Sequence, residues 1–149
     1  RFLLRIVIGY PSQDEENAIL LRFRKDDPLS QLSPVVSQAE ILAMQEERKE
    51  IRVEDSVRDY IVRIARETRS NNEIQLGASP RATMGLYQTS QAWAAIHGRD
   101  FVIPDDVKYV APYVLCHRLI ISPSAQLRGR TSQELISDIV SIVPVPVEK

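Results

Sequence analysis

The residue whose surroundings least explain it is Arg81, in the stretch Gly77-Ala78-Ser79-Pro80-Arg81-Ala82. Ser79 is a good N-cap, because its hydroxyl can accept from a backbone N–H left free in the first helical turn. Pro80 suits the first helical position, where a missing N–H costs nothing. Arg81 then puts a cation in a first turn, where the helix dipole favours anions by roughly 0.3–1 kcal/mol. A helix N-terminus with free N–H groups and an added guanidinium suits a phosphate, best one shared with another domain. The competing reading is an arginine that lies along the surface without a role.

Other chemistry finds little support. His97 and His117 have no carboxylate or thiol pair at metal-ligand spacing, so no metal site is expected. His97 reads as a helix C-terminal residue meeting the dipole, and His117 as a helix-end residue. Cys116 has only His117 beside it, and adjacent residues project apart on a helix, so a Cys–His nucleophile is not expected. The pairs Asp26-Asp27 and Asp105-Asp106 stand at helix boundaries, where capping explains them better than acid–base catalysis. The five glycines are followed by Tyr10, Ala78, Leu86, Arg99 and Arg130, so no Gly-Lys-Ser/Thr phosphate loop is present.

The elements that must position these residues read mainly as helices. Phe2–Ile8 is β-rich and apolar, ends at Gly9-Tyr10-Pro11, and predicts a strand buried on both faces but without partner strands. Ser12-Gln13-Asp14-Glu15, Ser37-Gln38-Ala39-Glu40 and Thr131-Ser132-Gln133-Glu134 are capping boxes. The first helix is expected to bury Ile19, Leu20 and Phe23 and to stop at Asp26-Asp27-Pro28. Leu29, Leu32, Val35 and Val36 predict a loop that packs down. The second helix ends near Glu50, and Ile51-Arg52-Val53 is an extended joint. The next carries the stripe Val57, Tyr60, Ile61, Ile64 and Thr68, with Arg63, Arg66 and Arg69 complementing its dipole. The helix from Pro80 to His97 buries Ala82, Leu86, Thr89, Trp93 and Ile96, with Gly98 at C′. Val107, Val110 and Val114 face inward on a helix opened by Pro104, which Pro112 is expected to break. His117–Ile121 is extended, and the last helix buries Leu135, Ile136, Ile139, Val140 and Ile142.

The totals agree with one domain. The 149 residues carry a formal net charge of −1 and one cysteine, with a pI near 6.2. Non-specific nucleic-acid binding has no electrostatic support, and an internal disulfide is excluded. No apolar run approaches the ~20 residues of a membrane helix. The chain begins at Arg1 inside an apolar run, which reads as a cut within a longer protein.

Three stretches together resemble the C-terminal lid of MoxR-type AAA+ ATPases: Gly77–Ala82, Gly98-Arg99-Asp100-Phe101-Val102-Ile103-Pro104-Asp105-Asp106-Val107, and Val114-Leu115-Cys116-His117-Arg118-Leu119. Arg1–Arg5 through Gly9-Tyr10-Pro11 looks like the end of the AAA+ core, and Val143-Pro144-Val145-Pro146 like a family C-terminus. The resemblance implies an all-α helical bundle of about six helices preceded by one orphan strand. It divides the chain into 1–11, the end of the core with its hinge, and 12–149, the helical lid. It implies that Arg81 is the sensor 2 arginine, which reaches the γ-phosphate of ATP held in the core, and that Arg1 is the arginine finger, which acts on nucleotide in the neighbouring subunit of a ring. Tyr10 and Pro11 match the hinge near adenine, and Ala78 and Ala82 flank Arg81 at the nucleotide. ATP and Mg2+ would belong to the intact parent, with none bound to this chain alone, which lacks Walker A and B and should be inactive. Implied partners are the AAA+ core, neighbouring subunits of a homo-oligomeric, hexameric ring and a von Willebrand factor A domain protein, in a chaperone-like role in the cytoplasm. No nucleic acid and no membrane insertion are implied. Two other readings compete: a free-standing helical adaptor for protein partners without nucleotide chemistry, and a helix-turn-helix DNA binder using Pro80–His97. The uncharged Thr83, Gln88, Ser90 and Gln91 weaken the last.

Overall fold

Three helices start where a Ser or Thr stands three residues before a Glu. In this computed structural model, which describes residues 2–24 and 27–146, Ser12 caps α1 (Gln13–Arg22) and Thr131 caps α7 (Ser132–Ile142). Each capping box is reciprocal: the Ser12 N–H donates to Glu15 Oε2 at 2.7 Å, and the Glu15 N–H to Ser12 Oγ at 3.4 Å. At α2 (Gln38–Glu50) the same pair of bonds joins Ser37 and Glu40, at 2.6 and 3.2 Å. These bonds satisfy amides that the helix itself leaves free.

The chain divides into a larger unit, Arg1–Arg5 with Glu46–Lys149, and a smaller one, Ile6–Gln45. The larger unit holds α3 (Asp55–Ser70), β1 (Ile74–Leu76), α4 (Pro80–Ile96), α5 (Pro104–Leu115), a 3-10 turn (Cys116–Arg118), β2 (Ile120–Ile121), α6 (Pro123–Leu127) and α7. Its core follows the predicted stripes closely. Val57, Tyr60, Ile61, Ile64 and Thr68 of α3 are buried, as are Val107, Val110 and Val114 of α5 and Leu135, Ile136 and Ile139 of α7. Burying each large aliphatic side chain contributes roughly 1.5–3 kcal/mol. The extended joint at Ile51-Arg52-Val53 meets the chain that follows α4: the Arg52 N–H donates to the Asp100 carbonyl and the Val102 N–H to the Arg52 carbonyl, both at 2.9 Å. β1 and β2 pair antiparallel, Ile74 opposite Ile121, which ties the chain before the Gly77 motif to the chain after the 3-10 turn.

The smaller unit holds α1, a 3-10 turn (Pro28–Gln31) and most of α2. Neither α1 nor α2 has a buried residue. Ile19, Leu20 and Phe23, expected to face inward, are exposed, as are Leu29, Leu32, Val35 and Val36, expected to pack down. Spacing alone does not bury a side chain, and none of the described residues of this unit covers these.

Several expectations change in the larger unit and at its entry. Phe2–Ile8 forms no strand among the described residues, and its side chains are exposed rather than sandwiched. Without a neighbouring strand there is no ladder, although the Arg5 N–H donates to the Tyr113 carbonyl at 2.9 Å. Ile96 is 75% exposed and Ile142 62% exposed, because both lie in the last turn of their helices, beyond the core. Pro112 does not break α5. It lies on the half-exposed side of the helix, where the carbonyl left without its donor can be hydrated. The described residues hold seven α-helices rather than about six, the added one being the short α6.

Candidate functional site

Gly77 is a glycine because backbone passes where a side chain would stand. A Cβ built there would lie 2.5 Å from the Thr68 carbonyl oxygen and 2.8 Å from the Arg69 Cα, both on the last turn of α3. The next residue is pinned to the same turn. The Ala78 N–H donates to Thr68 Oγ1 at 2.8 Å, and Arg69 Nε donates to the Ala78 carbonyl at 2.7 Å. Thr68 is fully buried and passes its own proton to the Ala65 carbonyl at 2.6 Å. Arg69, read from the sequence as dipole complementation, is therefore also an anchor of the motif.

The turn so held delivers α4. Ser79 is the N-cap residue, with extended backbone, and Pro80 follows in the first turn. The Ser79 hydroxyl makes no capping bond. Its carbonyl accepts from Ala82 and Thr83 at 2.8 and 3.2 Å, so the backbone alone closes the first turn. Ala78 and Ala82 are buried, with their N–H groups engaged inside the chain. Between these fixed points Arg81 is exposed, and it makes no ion pair among the described residues. A cation opposed by the helix dipole thus stands on a hydrogen-bonded turn without a carboxylate partner among the described residues.

Arg118 lies behind it. Its Nη1 donates to the Arg81 carbonyl at 3.3 Å, and its Nη2 to the carbonyls of Phe2 at 2.7 Å and Leu3 at 3.3 Å. Burial and the neighbouring Arg81 charge hold its guanidinium below the usual arginine range. Sequence reasoning treated Arg118 only as part of a motif. Its lack of any carboxylate three or four residues away was the available signal.

The remaining candidates separate. Arg1 lies outside the described residues. Tyr10 and Pro11 belong to the smaller unit, where Tyr10 is 101% exposed. With Ile8, Gly9 and the α1 residues Glu15, Ala18, Ile19 and Arg22 they line an open cleft of about 550 Å³. His97 caps α4, its Nδ1 lying 2.8 Å from the Trp93 carbonyl. Burial pushes the Cys116 thiol up, which disfavours the thiolate that a nucleophile would need. Asp106 is a structural anchor: it accepts two bonds from Arg99, at 2.7 and 2.5 Å, and one from the Ile103 N–H at 2.9 Å. Among the described residues no cluster of His, Cys, Asp and Glu could hold a metal ion, and no helix is long and apolar enough to cross a membrane.

Known proteins match this arrangement. Residues 66–139, which span the anchored turn, α4, α5 and most of α7, match the AAA lid domain family. The chain is 40% identical, over all of its length and 47% of the other's, to the uncharacterised protein YeaC of Bacillus subtilis (strain 168). It is 34% identical, over 98% of its length and 41% of the other's, to the chaperone MoxR1 of Mycobacterium tuberculosis. A crystal structure of a candidate ATPase from Cytophaga hutchinsonii superposes with a TM-score of 0.89 at 26% identity, covering 99% of this chain and 47% of that one. The fold and the anchored motif define an AAA lid domain. The chain is similar in this to the MoxR relatives, and it spans about half the length of the curated relatives it matches.

Proposed function

We propose that this chain serves the nucleotide cycle of a MoxR-type ATPase, with Arg81 as the sensor 2 arginine that reaches the γ-phosphate of ATP bound to an AAA+ core. The observation that carries the reading is an exposed guanidinium without an ion-pair partner among the described residues, on a turn anchored by Gly77, Ala78, Thr68 and Arg69. Such an arrangement offers a phosphate a positioned cation at little reorganisation cost. Ala78 and Ala82 support Arg81 by fixing its backbone. Tyr10 and Pro11 border the cleft that would take the adenine ring. Arg1 would act on nucleotide in a neighbouring subunit of a homo-oligomeric, hexameric ring. Mg2+ and the phosphate cradle belong to the core. Gain or loss of the γ-phosphate at Arg81 would bias lid position, and the ring would pass that motion to a client in a chaperone-like cytoplasmic cycle.

Nucleotide binding to the full-length protein tests this reading. Arg81→Ala is expected to shrink the preference for a non-hydrolysable ATP analogue over ADP by about tenfold or more, since a charge-assisted contact to phosphate contributes about 1.5–3 kcal/mol. Stability should stay within about 0.5 kcal/mol, because the side chain is exposed. An unchanged preference would overturn the assignment.

A further inference from the structure

We infer that Arg118 is a positioning residue that clamps the backbone of Phe2 and Leu3 onto the first turn of α4, fixing the segment that follows Arg1 to the helix that carries Arg81. The inference rests on the roles proposed above for those two arginines. Its own evidence is geometric. One planar guanidinium donates to three carbonyls, those of Phe2, Leu3 and Arg81, with the shortest bond, 2.7 Å, to Phe2. The fork geometry of arginine allows one rigid group to hold separate backbones in register. No carboxylate pairs with Arg118 among the described residues, so carbonyl oxygens supply the negative ends that its charge needs.

His117 completes the grip. Its Nε2 lies 3.1 Å from the Phe2 carbonyl, and its Nδ1 is buried without a partner among the described residues. A buried N–H left unpaired costs more than a bare lone pair, so the proton belongs on Nε2, which donates to Phe2. The Phe2 carbonyl then accepts from both His117 and Arg118 and uses both lone pairs. The 3.3 Å approach of Arg118 Nε to the same Nε2 is a contact rather than a bond in that tautomer.

The space for the clamp is cut into α4. A Cβ on Gly85 would stand 3.1 Å from Arg118 Nη1 and 3.3 Å from Leu3 Cδ1. Gly85 is thus a glycine inside a helix where both halves of the clamp pass. Two residues further along, the Arg5 N–H donates to the Tyr113 carbonyl at 2.9 Å, a second fixed point on the same segment. Arg1 is one peptide unit from Phe2, so a clamp at Phe2 ties the residue proposed for the neighbouring subunit's nucleotide to the residue proposed for its own. The consequence is coupling: a lid that moves with its own γ-phosphate carries the other arginine with it. Three of the five N–H groups of Arg118 are spent on backbone carbonyls in this arrangement.

The test uses the full-length protein with Arg118→Gln, Arg118→Lys and Gly85→Ala, read by amide hydrogen exchange at Arg5 and by ATPase kinetics. Arg118→Gln is expected to speed Arg5 exchange about tenfold or more. It should lower kcat about 10- to 100-fold, as misplacement of a catalytic group does, with KM for ATP changed less than about twofold. Lysine keeps the charge but loses the fork, so it should behave as glutamine does. Gly85→Ala pushes into the clamp with Arg118 intact and should show the same exchange signature. Unchanged Arg5 exchange in Arg118→Gln, wild-type behaviour of Arg118→Lys, or a raised KM with kcat intact would each overturn the inference. If Arg81→Ala leaves the ATP preference intact, the functional reading fails separately, and the exchange result still decides the clamp.

Discussion

The two units carry equally clear helix signals and differ in what those signals achieve. α1 and α2 in the smaller unit start with reciprocal capping boxes, as does α7 in the larger one. α7 buries Leu135, Ile136 and Ile139, whereas α1 and α2 bury nothing. Capping and propensity therefore set where a helix begins, and burial comes only from a partner surface. Substitutions should be severe in one unit and mild in the other.

The largest contrast is expected in apolar truncation. Leu86→Ala removes a fully buried side chain from α4 and should cost about 2–5 kcal/mol in chemical denaturation, while Leu20→Ala on exposed α1 should stay within about 0.5 kcal/mol. Equal costs would break the comparison. Glycines sharpen it next. Gly77→Ala drives a Cβ into the Thr68 carbonyl and should cost about 1–3 kcal/mol, whereas Gly9, with nothing within 4 Å, should accept alanine within about 0.5 kcal/mol. Tyr60 tests the core from the opposite side. Its ring is buried, and its hydroxyl has no partner among the described residues. Tyr60→Phe should raise stability by about 1 kcal/mol, the midpoint of the denaturation curve moving up rather than down.

The smallest effects belong to the caps. Thr131→Ala should cost about 1 kcal/mol of global stability, while Ser12→Ala should show mainly as faster amide exchange in the first turn of α1. The bonds from Thr131 hold the Glu134 carboxyl below its usual range. A carboxyl with a depressed folded-state pKa contributes stability that is present above the unfolded value of 4.5 and lost as pH falls through the folded value. Glu134→Gln should therefore shallow the acid limb of the stability–pH curve below about pH 4.5 and leave its slope near neutrality unchanged. An acid limb identical to wild type would count against that cap.

The residues explain which features could be read in advance. Stripes at helical spacing placed the α3, α5 and α7 cores, and Ser/Thr-x-x-Glu placed three helix starts, because both depend on local periodicity. Ile96, Ile142 and the Phe2–Ile8 run are apolar for reasons periodicity does not register: they lie at or beyond the edge of the core. Pro112 was misread because a proline's cost depends on whether the orphaned carbonyl meets water, which spacing does not report. At the site, Pro80 and Arg81 were legible from capping and dipole rules. The anchors Thr68 and Arg69 were not, because they meet Ala78 across nine or ten residues of chain, nor was Arg118, which reaches Phe2 across 116.

The central claim is that Arg81 differs from the other exposed arginines in purpose. Arg63 on α3 is the control, since it too is exposed and makes no ion pair among the described residues. Single-turnover ATP cleavage by the full-length protein should fall about 10²- to 10³-fold in Arg81→Ala and stay at the wild-type rate in Arg63→Ala. Equal rates for the two variants, with both proteins folded, would contradict the account.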